Sequence, residues 1–331
     1  MRFLIILVAA FAALYGGYWF VGSAASTRAA TEVMTRLEAD GLEVAYEEIR
    51  TIGFPSRFDT TLTDVTIADP ARNIGWQAPF FQLFALSYNP THIIAVWPDR
   101  QQFDLPRDTV TLVSERLRAS VQARPTPTLP LREATLEGAD LRVLSQNGWE
   151  VDLTTVLAAL RAVTGGEVDD HSYEVYAEAT EISLPTVLLQ ALGGAEVAPS
   201  LIERIRLDGR LRLDAPLDRM VSPQALPRVT ALTLRDAAFR WGDMSINAVG
   251  DLTIDPAGVP EGQITLTVTN WRQVIDVALS AGLLDPRWEP TLTRAASALA
   301  QGSDRLEAPI RLQNGFMSLG PLPLGPAPRL R

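Results

Sequence analysis

The hydrophobic pattern opens with an unbroken block. Phe3 to Val21, FLIILVAAFAALYGGYWFV, holds no charged side chain over 21 − 3 + 1 = 19 residues. That is close to the roughly 20 residues a helix needs to cross about 30 Å of hydrocarbon at about 1.5 Å per residue. From Ala29 to Leu42 the apolar positions Ala30, Val33, Met34 and Leu37 keep near-helical spacing, and Asp40-Gly41 is a stop signal. This predicts a stalk helix that could continue the first.

At Glu43 the period moves toward two. Gly53-Phe54-Pro55 separates two extended segments, Val44 to Ile52 and Arg57 to Ile67, and imperfect alternation in the second predicts a bulge. Ile74 to Trp97 is the most apolar later stretch. Pro79 and Pro90 break it, and Gln82, Ser87, Asn89 and His92 would each need a partner in lipid, so it reads as two strands, Phe80 to Tyr88 and Thr91 to Trp97, turning at Asn89-Pro90. Short strands follow at Asp108 to Val113 and Glu115 to Ala123, and Pro125, Pro127 and Pro130 mark a linker.

Further on, helices are predicted from Thr154 as a cap through Val156, Leu157, Leu160 and Val163 to Gly165-Gly166, and from Ser183 and Pro185 to Gly193-Gly194. Two more run from Asn270, with Gln273 three residues on as in a capping box, to Gly282, and from Asp285-Pro286 past Pro290 to Gly302. Strands are predicted at Arg204 to Asp214, Val229 to Trp241, Met244 to Asp255, Gly262 to Thr269, Leu306 to Gln313 and Phe316 to Leu319. A heptapeptide pattern, Thr-Leu-x-Asp/Gly-small-x-apolar, recurs at Thr61 to Ile67, Thr135 to Leu141 and Thr233 to Phe239, which suggests repeated β units. The alternative is chance recurrence of strand-favouring Thr and Leu.

Composition narrows the roles. A formal charge of −10 argues against nucleic acid as a partner, because phosphate binding needs a basic footprint. The absence of Cys excludes disulfides, thiolate nucleophiles and Cys-ligated metals. All 29 basic residues are Arg, a hint of anion recognition that codon bias explains as well. Arg2 precedes the apolar block and the acidic bulk follows it, so the positive-inside rule orients the chain N-in, with its C-terminal domain in the periplasm of a bacterial cell. Tyr15, Tyr18, Trp19 and Phe20 at the far end fit the aromatic belt of a retained span. The alternative is secretion to the periplasm after cleavage near the small residues Ser23-Ala24-Ala25 or Thr27-Arg28-Ala29.

Candidate chemistry is sparse. Only His92 and His171 exist; Asp169-Asp170-His171 could contribute to a cation site but reads as a solvated turn, and His92 reads as a hydrogen-bonded strand residue. No nucleophile elbow, P-loop or dinucleotide fingerprint occurs, so no catalytic, cofactor-binding or metal residue is assigned, no cofactor is expected, and an envelope hydrolase using Asp or Glu lacks a spacing signal. Strict alternation from Arg204 to Asp214 puts Arg204, Arg206, Arg210 and Arg212 on one face, a ladder for phospholipid headgroups or another anion, or else a solvated face with cross-strand ion pairs. Trp76, Phe80, Phe81, Phe84, Tyr88 and Trp97 could line a lipid groove or pack a core.

Several segments carry a resemblance. Gly17-Tyr18-Trp19, Gly53-Phe54-Pro55-Ser56-Arg57-Phe58-Asp59, Trp76-Gln77-Ala78-Pro79-Phe80 and His92-Ile93-Ile94-Ala95-Val96-Trp97-Pro98 resemble an uncharacterised bacterial family, domain-of-unknown-function family 2125. The resemblance implies membrane association and carries no catalytic residues over. Asn314 to Leu324, NGFMSLGPLPL, together with the repeated strands, is similar to AsmA-like envelope proteins, which implies an inner-membrane-anchored, β-rich periplasmic protein linked to lipid transport. The chain is much shorter than the long members of that group.

The expected fold class is α+β, mainly β: a large curved antiparallel sheet built from repeated β units with a few packed helices, after one N-terminal transmembrane helix. The expected organisation is an anchor at 1–22, a stalk at 23–42 and a β-rich periplasmic domain at 43–331, with a subdivision near 124–131. The expected role is non-enzymatic, with the inner membrane as partner and lipid or an envelope protein bound along the sheet. Docking an envelope protein as an assembly factor is the alternative.

Overall fold

A computed structural model describes residues 1–163, 171–194, 198–222, 226–319 and 322–329. The protein is mostly β, with a large antiparallel sheet and four helices among the described residues. The chain divides into two compact units, residues 1–125 with 136–148, and residues 126–135 with 149–331.

The first unit begins with one continuous helix, α1 (Arg2–Ala39), which absorbs both the apolar block and the stalk and is long and apolar enough to cross a membrane. Antiparallel strands follow: β1 (Glu43–Ala45), β2 (Glu48–Ile52), β3 (Arg57–Asp69), β4 (Ile74–Leu86), β5 (Asn89–Val96), β6 (Arg100–Leu105), β7 (Asp108–Val113), β8 (Arg116–Ala123) and β9 (Leu131–Ser145), the last passing from one unit into the other. β3 is the axis, pairing with β1, β2 and β4, while β5 pairs with β4 and β8. The expected bulge in β3 is at Asp64, whose φ of 48° interrupts the β3–β4 register between Thr63 and Val65. Two expectations shift here. The single strand 44–52 is two, and the turn expected at Asn89-Pro90 sits at Ser87-Tyr88, with Asn89 and Pro90 already in β5. Strand β6 had no clear alternation in its Arg-Gln-Gln-Phe-Asp-Leu sequence and was not predicted.

The core of this unit is the contact between the second half of α1 and the inner face of the sheet. Met34 packs with Leu62 and Val65, which are 1 % exposed, and with Leu37, Val44, Ile49, Trp76 and Phe81 around them.

The second unit is a meander of β10 (Glu150–Ala162), β11 (Ser172–Ser183), β12 (Leu201–Leu213), β13 (Val229–Trp241), β14 (Met244–Ile254), β15 (Pro260–Thr269), β16 (Arg305–Gln313), β17 (Phe316–Leu319) and β18 (Leu322–Pro326), each antiparallel to the next. Helix α2 (Thr186–Ala191) lies between β11 and β12, and α3 (Trp271–Ser280) and α4 (Glu289–Ala300) between β15 and β16. The helix expected from Thr154 to Val163 is instead strand β10, paired residue by residue with β11 from Thr155↔Thr180 to Ala162↔Tyr173. Its apolar positions satisfy a helical period nearly as well as an extended one, and pairing with a neighbouring strand outweighs the propensity of Leu157-Ala158-Ala159-Leu160. Gly165-Gly166 and Asp169-Asp170 lie outside the described residues.

Asn270 precedes α3, but its amide donates to Gln273 Oε1 at 2.8 Å and no side chain caps the backbone. Trp271, 2 % exposed, fills the space between this helix pair and β16, against Ala300, Leu306 and Ala308. The last helix begins at Glu289, after the Asp285-Pro286 turn, with Pro290 in its first turn where a missing N–H costs nothing. The three copies of the heptapeptide pattern lie on β3, β9 and β13, and each contains an irregularity: Asp64, Asp140 at φ 46°, and a register shift between Leu234 and Ala237.

Candidate functional site

The geometry that stands out belongs to α1. Its apolar block does not project freely to Val21, because the β-structure meets it at Tyr15. The Tyr15 hydroxyl lies 3.0 Å from Ser87 Oγ, and the Tyr18 hydroxyl donates to the Ser87 carbonyl at 2.5 Å. Trp19 Nε1 donates to the Arg57 carbonyl at 2.8 Å, with its ring against Phe54 and Phe58. Ser87 is fully buried and Trp19 nearly so, so these bonds are shielded from competing water. One face further along, Thr27 Oγ1 meets Thr51 Oγ1 at 2.8 Å, which meets Thr60 Oγ1 at 2.9 Å, a hydroxyl chain from helix to β2 to β3. Met34 closes the far end.

Between those fixed points the helix turns a stripe of small residues toward the sheet: Gly22, Ala25, Ser26, Ala29 and Ala30. At Gly22 close approach needs the missing side chain, since a Cβ would overlap the Phe58 ring. Beyond Gly22 the small side chains do not reach the strands. The result is a cleft of about 420 Å³, walled by the stripe, Tyr18 and Val33 on one side and by Phe58, Thr60, Leu83, Ala85, Pro90 and Ile93 on the other. Its surface is overwhelmingly apolar and its volume falls within the roughly 300–1,000 Å³ of small-molecule sites. The cleft is suited to holding a hydrocarbon chain: its lining residues include the hydroxyls of Tyr18, Ser26 and Thr60 but no carboxylate, histidine or arginine.

Of the aromatic residues singled out in the sequence, Phe84 lines this cleft. Trp76, Phe81 and Trp97 pack on one another instead, at ring-centroid distances of 6.1 and 5.2 Å, and Trp76 Nε1 donates to Gln101 Oε1 at 2.7 Å. Phe80 is half-buried opposite Thr63, and Tyr88 stands 72 % exposed at the β4–β5 turn. The cleft's helical wall was missed. Its signal, small residues at 22, 25, 26, 29 and 30 on one helical face, has no meaning until a facing strand is known.

The arginine face of β12 is knitted to carboxylates. Arg204 pairs with Glu178 at 3.1 Å, Arg206 with Asp236 at 3.4 Å while lying over the Tyr176 ring, and Arg210 with Glu174 at 3.3 Å. Arg235 joins the network through Asp208 and Glu174, and its hydrogen bond to Asp208 holds its pKa above the usual arginine value. Arg212 is exposed on the same face and also has an interaction partner. The hydrogen bond from Tyr176 to Glu178, at 2.6 Å, pushes the phenol pKa up.

Two other hollows carry charged side chains in their lining. One of about 370 Å³ is lined by Asp64, Gln77, Arg100, Gln101, Gln102 and Thr111, with Gln101 Nε2 buried and unpartnered. One of about 650 Å³ in the second unit lies beside the Asp214–Arg228 pair, in which the arginine holds the carboxyl below its ordinary range. Among the described residues no three His, Asp or Glu side chains converge as metal ligands. His92 sits opposite Gln122 in the β5–β8 pair, and the His171 carbonyl accepts from Leu213 N–H.

Buried Asp59 is a carboxylate whose ionisation its surroundings oppose. Burial raises its pKa, and Arg57 at 2.9 Å opposes that only in part.

Neither a curated protein nor a solved structure matches the chain, and the likeness to AsmA-like proteins has no match behind it. A family described as an uncharacterized protein conserved in bacteria matches residues 19–328, from Trp19 in α1 through the last strand. The chain belongs to that family, DUF2125.

Proposed function

We propose that this protein is a membrane-anchored lipid-binding protein that takes an acyl chain into the cleft between α1 and strands β3–β5. In this reading α1 is retained as a single inner-membrane span, N-in, with both β units on the periplasmic side, and the protein performs no bond chemistry.

The observation that supports it is the continuity of the cleft with the apolar part of α1: Tyr18 and Gly22 belong to the apolar block and its edge, and both line the cleft. An apolar cleft open to water is unfavourable in proportion to the apolar area it exposes, about 25 cal/mol per Å². Water fills it poorly because it finds few polar partners there. The nearest filler is a lipid tail. Transfer of a tail from the bilayer gains little from the hydrophobic effect, since the bilayer is equally apolar. Selection then rests on packing, and the cleft favours a chain of matching length and shape.

The test is photo-crosslinking of the full chain in phosphatidylglycerol and phosphatidylcholine vesicles, using a phospholipid with a diazirine near the end of one tail. Crosslinks are expected on Leu83, Ala85 and Ile93 as well as on residues 3–14 of the span. Ala29→Phe should abolish the first set and spare the second. Crosslinks confined to residues 3–14 in the unaltered protein would overturn the proposal.

A further inference from the structure

The span's length and the point at which the β-structure meets it are in tension, and that tension has a consequence. The helix segment free of the β-structure runs from Phe3 to Leu14, 14 − 3 + 1 = 12 residues. At about 1.5 Å per residue this covers about 18 Å, against about 30 Å of hydrocarbon. The missing length, about 12 Å, corresponds to about eight further residues, Tyr15 to Gly22. Those residues do not enter the bilayer alone, because Tyr15 and Tyr18 are bonded to Ser87 and Trp19 to Arg57. Phe54 lies on Trp19 and Phe20 at 5.4 and 6.1 Å between ring centroids.

The two turns carried at this level are built for such an environment. Residues 51–56, Thr-Ile-Gly-Phe-Pro-Ser, and 80–91, Phe-Phe-Gln-Leu-Phe-Ala-Leu-Ser-Tyr-Asn-Pro-Thr, contain no charged side chain. Phe54 and Tyr88 at their tips are 58 % and 72 % exposed, with Ile52 and Ile93 behind them also exposed. Ser87 in the second turn is buried with both backbone groups paired: its N–H donates to the Ser56 carbonyl and its carbonyl accepts from Tyr18. These are backbone groups that lipid could not satisfy. Arg57, just behind the first tip, is half-exposed and pairs with Asp59 at 2.9 Å.

Resting on the reading of α1 as a span, we propose that the β2–β3 and β4–β5 turns are immersed in the leaflet that the β-structure faces. Phe54 and Tyr88 flank the helix as a second and third point of insertion. The partner of this surface is the bilayer itself. Immersion brings the cleft residues next to these turns, Tyr18, Pro90 and Ile93, against the lipid tails, so a chain enters sideways without crossing water.

The native chain has no Cys, which permits site-specific nitroxide labels at single introduced cysteines. Phe54→Cys and Tyr88→Cys are compared with Leu14→Cys inside the span and Ala71→Cys in the β3–β4 turn at the other end of the same strands. Each is labelled in the full chain in phosphatidylcholine–phosphatidylglycerol vesicles and read by power saturation with oxygen and with a water-soluble nickel chelate. Labels at 54 and 88 are expected to lose nickel accessibility and gain oxygen accessibility, as at 14, while 71 stays nickel-accessible. If 14 is shielded but both 54 and 88 behave like 71, immersion is wrong and the anchor stands. If 14 is itself nickel-accessible, the span reading fails and immersion with it. Tyr88, exposed and without ring contacts, keeps the experiment decisive where Phe54→Cys perturbs the aromatic cluster.

Discussion

Two helical regions of this protein solve the same problem with opposite results. In the second unit α3 and α4 lie on an antiparallel sheet around a buried tryptophan: Trp271, 2 % exposed, packs with Val268, Ala300, Leu306 and Ala308, and its Nε1 donates to the Ser303 carbonyl at 3.3 Å. In the first unit α1 covers β1–β3, yet through Gly22, Ala25, Ala29 and Ala30 it leaves a cleft of about 420 Å³. The difference lies in side-chain volume at the helix–sheet contact: Trp271 in one unit, Gly22, Ala25, Ala29 and Ala30 in the other. A sheet face covered by small residues while hydroxyls and tyrosines hold the helix at its ends is a site. A sheet face covered by a tryptophan is a core.

The comparison breaks most visibly at Trp271. Trp271→Ala removes the buried ring and is expected to cost about 3–5 kcal/mol, measured by denaturant unfolding of the full chain in detergent followed by circular dichroism. A loss well under 1 kcal/mol would mean that the second unit does not depend on the packing of this residue. The converse change, Ala29→Phe, fills the cleft and should leave stability unchanged or raise it by about 1 kcal/mol, because part of a Phe surface leaves water. A loss of more than 2 kcal/mol there would show the first unit's helix to be packed as tightly as the second's.

Asp59 sharpens the contrast on the β3 strand. Because its folded-state pKa is raised, the folded protein holds the proton more tightly than the unfolded chain does. The carboxyl's contribution is therefore fully favourable below the ordinary carboxylate value of 3.8 and is lost as pH rises through the raised folded-state value. Asp59→Asn should accordingly unfold at a higher temperature than the unaltered protein at pH 7, and the gap should close as pH falls toward 4. A gap that widens on acidification would reverse the sign and make Arg57 the dominant influence.

The smallest effect is expected on the charged face of β12. Arg210→Ala removes one ion pair between side chains that are 47 % and 42 % exposed, and screening limits the loss to under about 1 kcal/mol. Its dependence on added salt is the check: a loss that persists at 1 M salt would point to packing of the arginine stem rather than charge.

Much of the fold is legible in the residues. Strict alternation from Arg204 to Asp214 marks β12, Val229 and Trp241 bound β13 as the pattern predicts, and the apolar block announces α1. Residues 150–162 are not legible, because Val151, Leu153, Val156, Leu157 and Leu160 suit either period, and the partner strand β11 decides between them. β6 and β18 escape for a related reason: Arg100 to Leu105 and the proline-containing Leu322 to Pro326 have little alternation of their own and are held by their partners' backbone groups.

The sequence by itself determined that there is an apolar helix of crossing length, a β-rich body and no thiol chemistry, because hydrophobicity, period and residue type are local properties. Only the tertiary structure decided where the site lies. A cleft is a difference between two surfaces far apart in the chain: Ala29 is ordinary until Leu83 faces it across an unfilled gap. Likewise Tyr15 reads as one more belt aromatic until its bond to Ser87, 72 residues away, fixes how much of the helix the β-structure claims.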